Sequence, residues 1–139
     1  MLKICKKIDD YEKNNLKTYI NNDRLLFSFR SDGVYLNGLK VIDKKSIQQI
    51  EILKLLFLEQ TKAVLSNSKN IGSTWYELAS KMELITKKPM TEQYIRQSIH
   101  EIKTKIKIAH KDCDVKIIEM RNHRYLLNKK VDLDIHQNM

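Results

Sequence analysis

The sequence predicts an α+β fold in which small N-terminal antiparallel strands are followed by three helices and a C-terminal β-hairpin. Three observations predict it. The hydrophobic period is near two from Leu25 to Asp43, helical from Ser46 to Ala109, and near two again after the Asp112–Asp114 break. Asp-Gly at 32–33 and Asn-Gly at 37–38 are strong hairpin-turn dipeptides between short β-prone runs. In a chain with only three Gly and one Pro, Pro89 falls inside the helical region and forces a break there.

Each element has its own signature. Residues 1–24 are polar and rich in Lys and Asn; Ile4, Ile8 and Tyr11, continued by Leu16 and Ile20, would share a helical stripe on an N-terminal extension. "LLFSFRSDGVYLNGLKVID" (Leu25–Asp43) supplies two or three strands. Ser46, with Gln49 three residues on, predicts a capping box. Behind it Ile50, Leu53, Leu56 and Phe57 recur at helical spacing, and Ile52, Leu55 and Leu58 make this helix apolar nearly all round, as a central core helix is. "NSKNIGS" (Asn67–Ser73) reads as a loop.

Thr74 with Glu77 predicts a second capping box, opening a short helix to about Lys81 with Leu78 and Met82 inward. A basic connector, "TKKPM" (Thr86–Met90), follows. Thr91 then caps a long helix over 91–109, in which Ile95, Ile99, Ile102 and Ile106 form the inner stripe. "VKIIEMRNHRYLLNKK" (Val115–Lys130) gives the closing hairpin, with its strands inside 117–128. The domain thus runs from 25 to 130, between the extension and a polar tail, 131–139.

A chain of 139 residues holds one domain with a single core. With 42% hydrophobic and 31% charged residues it has the composition of a soluble globular protein. Its 26 Lys+Arg against 17 Asp+Glu give a charge of +9, which points to a polyanionic partner. The most apolar run, "ILKLLFLEQ", is short and carries Lys54, so it reads as a core helix and no membrane partner is expected. "MLKICKKIDDYEK" lacks the unbroken apolar stretch of a signal peptide. Cys5 and Cys113 form no metal or redox motif, which fits reduced thiols in a cytoplasmic protein.

The basic excess concentrates around the long helix. Thr86–Lys111 holds seven basic residues and two acidic ones, more than half of the chain's net charge. With the isoleucines inward, the outer face carries Gln93, Arg96, Gln97, His100, Lys103, Thr104 and Lys107. Gln and Arg near the N-terminal end suit base edges, and the lysines suit phosphates. A short helix, a break and a long basic helix is helix-turn-helix order, although the connector is longer than a minimal turn. Arg121, Asn122, His123 and Arg124 form a hairpin tip beside that helix, where arginines can enter a narrow minor groove. The bland reading of both features is a solvated helix face and a turn that tolerates charge.

These residues resemble the DNA-binding domain of the OmpR/PhoB response-regulator class, a winged helix-turn-helix, over about Leu25–Asn128. "IHEIKTKI" (Ile99–Ile106) is similar to the end of that family's recognition helix. "IIEMRNHRYLL" (Ile117–Leu127) is similar to its wing, Ile-x-x-Val-Arg-Gly-x-Gly-Tyr-Arg-Leu, with Arg121 on the Arg and Tyr125 on the Tyr. "VYLNGLKV" matches its last N-terminal strands. Asn122 and Arg124 replace the wing's two glycines, and Leu126 its second Arg. Residues 1–24 cannot hold a receiver domain, so the resemblance implies a stand-alone effector or an excised domain. It also implies a loop from Met82 to Met90 that approaches RNA polymerase, and a homodimer on tandem DNA half-sites.

The resulting expectation is a bacterial-type regulator that binds double-stranded DNA and needs no cofactor. Its DNA-binding residues would be Lys87, Lys88, Thr91, Gln93, Tyr94, Arg96, Gln97, His100, Lys103 and Lys107, with Arg121, Asn122, His123 and Arg124 on the wing. No Gly-rich phosphate loop, Ser/His/Asp cluster or HExxH is present, so an enzyme is not expected. His110 and Cys113 in "HKDC" supply one pair of possible ligands where structural zinc takes two. Trp75 reads as core rather than as a base-stacking platform. Two further classes stay open: a protein-interaction module or accessory subunit on the same scaffold, with Ile4, Ile8 and Tyr11 as its patch, and a binder of double-stranded RNA or of replication origins.

Overall fold

The structure, a computed structural model, describes residues 24–67, 72–113 and 115–134. The helical stripe expected on the N-terminal extension lies outside them. Strands β1 (Leu25–Arg30), β2 (Gly33–Leu36) and β3 (Leu39–Asp43) precede helices α1 (Ile47–Leu65), α2 (Trp75–Thr86) and α3 (Glu92–Ala109). Strands β4 (Ile118–Arg121), β5 (Arg124–Leu127) and β6 (Val131–Leu133) follow. The fold is α+β, with a four-stranded mixed sheet in the order β3-β2-β1-β6 and a separate β4-β5 hairpin.

Both turn dipeptides connect antiparallel strands, as their residues predict. β1 pairs with β2 from Phe27↔Leu36 to Arg30↔Gly33, and β2 with β3. Asn37 and Gly38 both take positive φ, as a tight two-residue turn requires, and the Asn37 carboxamide accepts the Leu26 N–H at 2.8 Å. The sheet does not end there. Val131–Leu133, expected to belong to a polar tail, runs parallel to β1 in the register Leu25↔Val131 and Phe27↔Leu133. Val131 is buried. The domain therefore extends past 130. Three residues are too few for a period to show, and the alternation Val131, Leu133 acquires meaning only beside the free edge of β1.

One core joins sheet, helices and hairpin. Phe27, Leu36 and Ile42 from the sheet meet Leu53, Leu78, Met82 and the α3 stripe, all close to fully buried. Phe57 of α1 stacks edge-on against Phe27 and Phe29, with centroids 5.6 and 5.9 Å apart. Ile95, Ile99, Ile102 and Ile106 are 0–3% exposed; burying each contributes about 1.5–3 kcal/mol. That stripe fixes the rotation of α3, and so decides which side chains face water.

Helix ends divide into those set locally and those set by distant partners. The Thr74/Glu77 capping box forms, with Thr74 Oγ1 accepting from Glu77 N at 3.1 Å and Glu77 Oε1 from Thr74 N at 2.9 Å. Thr91 caps α3 by accepting from Tyr94 N. The Ser46/Gln49 box does not form. Lys105 of α3 donates instead to both Ser46 Oγ (2.9 Å) and Gln49 Oε1 (2.7 Å), and Gln49 donates to Glu101. A tertiary network has taken the groups that a local cap would use.

At its C-terminal end α3 stops at His110, which is buried. Its Nε2 lies 2.8 Å from the Leu36 carbonyl, so it ties the helix to β2. Burial pushes the imidazole below its ordinary value near 6.5, with the Leu36 contact opposing. The depressed pKa fixes the sign: stability is fully present above about pH 6.5 and is lost as pH falls towards the folded-state value. In urea unfolding at about pH 7.5 and about pH 5.5, His110→Gln should lose less stability on acidification than the parent. Equal losses would remove His110 from the acid response.

Candidate nucleic-acid interface

Sequence and structure place a run of polar side chains along α3, then a turn before it and a hairpin beside it. Gln93, Arg96, Gln97, His100 and Lys103 lie on α3 away from the buried isoleucine stripe, and all five are exposed. Two neighbours have other work. Thr91 is exposed but spends its hydroxyl on the cap, and Tyr94 is half-buried against the core. Lys107 donates to the Cys113 carbonyl at 3.1 Å, which holds the chain leaving α3.

The turn into α3 is shorter than the sequence suggests. α2 does not stop near Lys81 but runs to Thr86, so Met82–Thr86 are helical and not part of a loop. Lys87 ends the helix with φ 61° and ψ 27°, its N–H bonded to the Glu83 carbonyl. The Glu83 carboxylate then accepts the Met90 N–H at 2.9 Å, and Thr86 Oγ1 accepts the Lys88 N–H. Only Lys87–Met90 separate α2 from the Thr91 cap, with Lys87 and Lys88 exposed. The helix end was hidden because a Lys, not a Gly, takes the left-handed position.

The hairpin pairs Ile118↔Leu127 through Arg121↔Arg124. Asn122 (φ 54°) and His123 (φ 63°) form its two-residue turn, both left-handed and both exposed. Arg124 does not join them. Its guanidinium turns back to donate to the Gly72 carbonyl (3.1 Å) and to Glu77 Oε1 (2.9 Å), so it anchors the hairpin to the start of α2. The Thr74 N–H first, and Arg124 with it, hold the Glu77 carboxyl below its usual range. A second anchor is the reciprocal backbone pair between Ser73 and Tyr125, at 2.9 and 2.7 Å.

Between α3 and β4 lies an open groove of about 680 Å³, bordered by His100, Lys103, Lys107, Lys116 and Met120. Sequence reasoning missed Lys116 and Met120. Lys116 carries no periodic signal, and Met120 shows itself only by being exposed on a strand. Around Arg96 a second arrangement was missed. Its Nη2 donates to Glu92 Oε1 at 3.3 Å. Burial pushes the Tyr125 phenol above its ordinary value, with the Arg96 charge opposing. The Glu92–Arg96 spacing is legible at i,i+4.

No known protein family, curated protein or solved structure matches this chain. No helix among the described residues is long and apolar enough to cross a membrane.

Proposed function

We propose that this protein is a winged helix-turn-helix that binds double-stranded DNA by sequence and acts as a transcriptional regulator. On this reading α2, the Lys87–Met90 turn and α3 form the helix-turn-helix, and the β4-β5 hairpin is the wing. The observation that carries it is the outer face of α3. A helix locked by four buried isoleucines presents Gln93, Arg96, Gln97 and His100 together, followed by Lys103 on the same side. Such a face matches base-edge readers at the start of a helix and a phosphate contact further along. The resemblance to OmpR/PhoB-type domains supports the same assignment. It extends it to tandem half-sites bound by a homodimer, and to the turn into α3 as the surface offered to RNA polymerase.

The wing then consists of Arg121, Asn122 and His123, with Arg124 as its anchor. His123 supports the reading in its own way. A two-residue turn of this kind favours Gly at its second position, and a side chain held at φ 63° costs stability. A side chain held at that cost fits a use outside the fold. His123→Gly should therefore raise stability by about 1 kcal/mol while weakening DNA binding. A variant that is both more stable and equally tight would leave the tip without a role in binding.

The test of the proposal is selection from a random-duplex pool, followed by affinity for the enriched duplex across a salt series. An enriched motif with a steep salt slope supports a sequence-reading regulator. Salt-sensitive binding without a motif means an accessory or architectural DNA binder. No binding in low salt favours the protein-interaction module, for which exposed Tyr76, Leu84 and Ile85 of α2 are the specific observation.

A further inference from the structure

The groove of about 680 Å³ between α3 and β4 combines two kinds of lining. Lys103 and Lys107, four residues apart, border it from α3, and Lys116 borders it from the segment entering β4; all three are exposed. Like charges at i,i+4 on a helix repel, and none of the three lysines meets a carboxylate among the described residues. Lys107 is tied to the Cys113 carbonyl at 3.1 Å, which leaves further N–H groups on its ammonium. Glu119, the acid among the lining residues, has Arg121 4.0 Å away.

The rest of the lining is mostly apolar. Ile118 and Met120 share one face of β4, because alternate residues of a strand point the same way. Ile118 is buried in the core, whereas Met120, two places on, is 54% exposed and lines the groove. The apolar face of the strand thus runs past the end of the core. Val115 and Ile117 line the same space. Met120 supplies the unbranched, polarisable side chain that adapts best to an irregular apolar partner.

A ligand of one character would satisfy only half of this lining. An inorganic anion would answer the lysines and leave Met120 against water. An uncharged apolar molecule would cover Met120 and leave the like charges unmatched. A space of about 300–1,000 Å³, largely apolar with a few polar groups, is the usual form of a small-molecule site. We propose that this groove binds a free amphipathic monoanion, a carboxylate on an alkyl chain, with its head at Lys103 and Lys116 and its chain along Met120. The consequence rests on the DNA-binding reading above, in which Lys103 serves a phosphate. Ligand and duplex then compete for one lysine, and the ligand is an effector that releases the protein from DNA.

The experiment uses the full chain and three free carboxylates, hexanoate, decanoate and tetradecanoate, each below its micelle concentration. Calorimetry gives the affinity and amide NMR shifts locate the ligand. Affinity should rise with chain length as apolar surface is buried. Acetate and decanol, the head and the tail alone, should each bind at least about tenfold more weakly than decanoate. Shifts should gather at Lys103, Lys116 and Met120, and the melting temperature should rise, as it does when a ligand binds the native state alone. Lys116→Ala and Met120→Ser should each weaken decanoate at least about threefold. On the duplex enriched from the random pool, decanoate at about ten times its own Kd should raise the apparent Kd for DNA about elevenfold.

No binding by any member of the series overturns the inference, as does a fall in melting temperature or a set of shifts away from the groove. Carboxylate binding that leaves duplex affinity unchanged overturns the competition. If Lys116→Ala weakens the duplex while no carboxylate binds, the groove belongs to DNA phosphate instead. A parent that binds no duplex overturns the DNA reading, and calorimetry with the shifts then decides the carboxylate site by itself. Lys116→Ala, at an exposed position, decides between the outcomes if Met120→Ser does not fold.

Discussion

Gly72→Ala should destabilise the domain by roughly 3 kcal/mol or more, a large share of the 5–15 kcal/mol or so that holds a domain of this size. Gly72 takes φ 98°, and a Cβ placed on it would lie 2.4 Å from the Tyr125 carbonyl oxygen and 3.1 Å from the Leu126 Cβ. The oxygen is backbone and cannot swing aside. It is also the acceptor for Ser73 N, while the Gly72 carbonyl holds Arg124. A methyl group at 72 would therefore push β5 off the residue that anchors it and loosen the Arg124 clamp together with it.

Gly38 provides the control for conformation alone. It too has positive φ, 86°, but a Cβ there meets nothing within 4 Å. Gly38→Ala should cost only backbone strain, about 1–2 kcal/mol. Urea unfolding of the two variants separates the terms. Equal costs would show that φ, and not the contact with Tyr125, makes Gly72 necessary. If the hairpin is part of a DNA site, the Gly72 variant should also bind more weakly at temperatures where it remains folded.

The contrast between these positions explains what the sequence did and did not disclose. Features whose energy is spent within a few residues were legible. The Thr74/Glu77 box, the Thr91 cap, the Asn37-Gly38 turn and the isoleucine stripe of α3 each depend on spacing that the chain itself displays. Features decided by a distant partner were not. Ser46 and Gln49 have the spacing of a cap, but Lys105, far along the chain, offers an ammonium that competes for the same oxygens. Val131–Leu133 becomes a strand because β1 has a free edge beside it.

At the candidate site the same division holds. The outward placement of Gln93, Arg96, Gln97, His100 and Lys103 follows from the stripe and was legible. Arg124 was misplaced at the tip because its partners, Gly72 and Glu77, lie 52 and 47 positions earlier in the chain. A glycine at position 124 would leave the hairpin tip without this anchor.

On the DNA-binding reading proposed above, the division of labour along α3 gives the largest functional effects. Arg96→Ala should cost about 1–3 kcal/mol on the selected duplex and much less on random DNA, flattening sequence choice. Lys103→Ala should weaken both duplexes alike and reduce the slope of log affinity against log salt by about one. The two residues lie two helical turns apart, so both project from the same side of the helix, with Lys103 at the groove shared with β4. Lys107 is the internal comparison. It borders the same groove, but its ammonium already serves the Cys113 carbonyl, so Lys107→Ala should change the salt slope less and loosen the segment leading into β4. Affinities for both duplexes over a salt series test all three. If Arg96→Ala and Lys103→Ala lose affinity equally on both duplexes, with equal loss of slope, then Arg96 contacts phosphate. The face of α3 would then be an electrostatic surface that reads no bases.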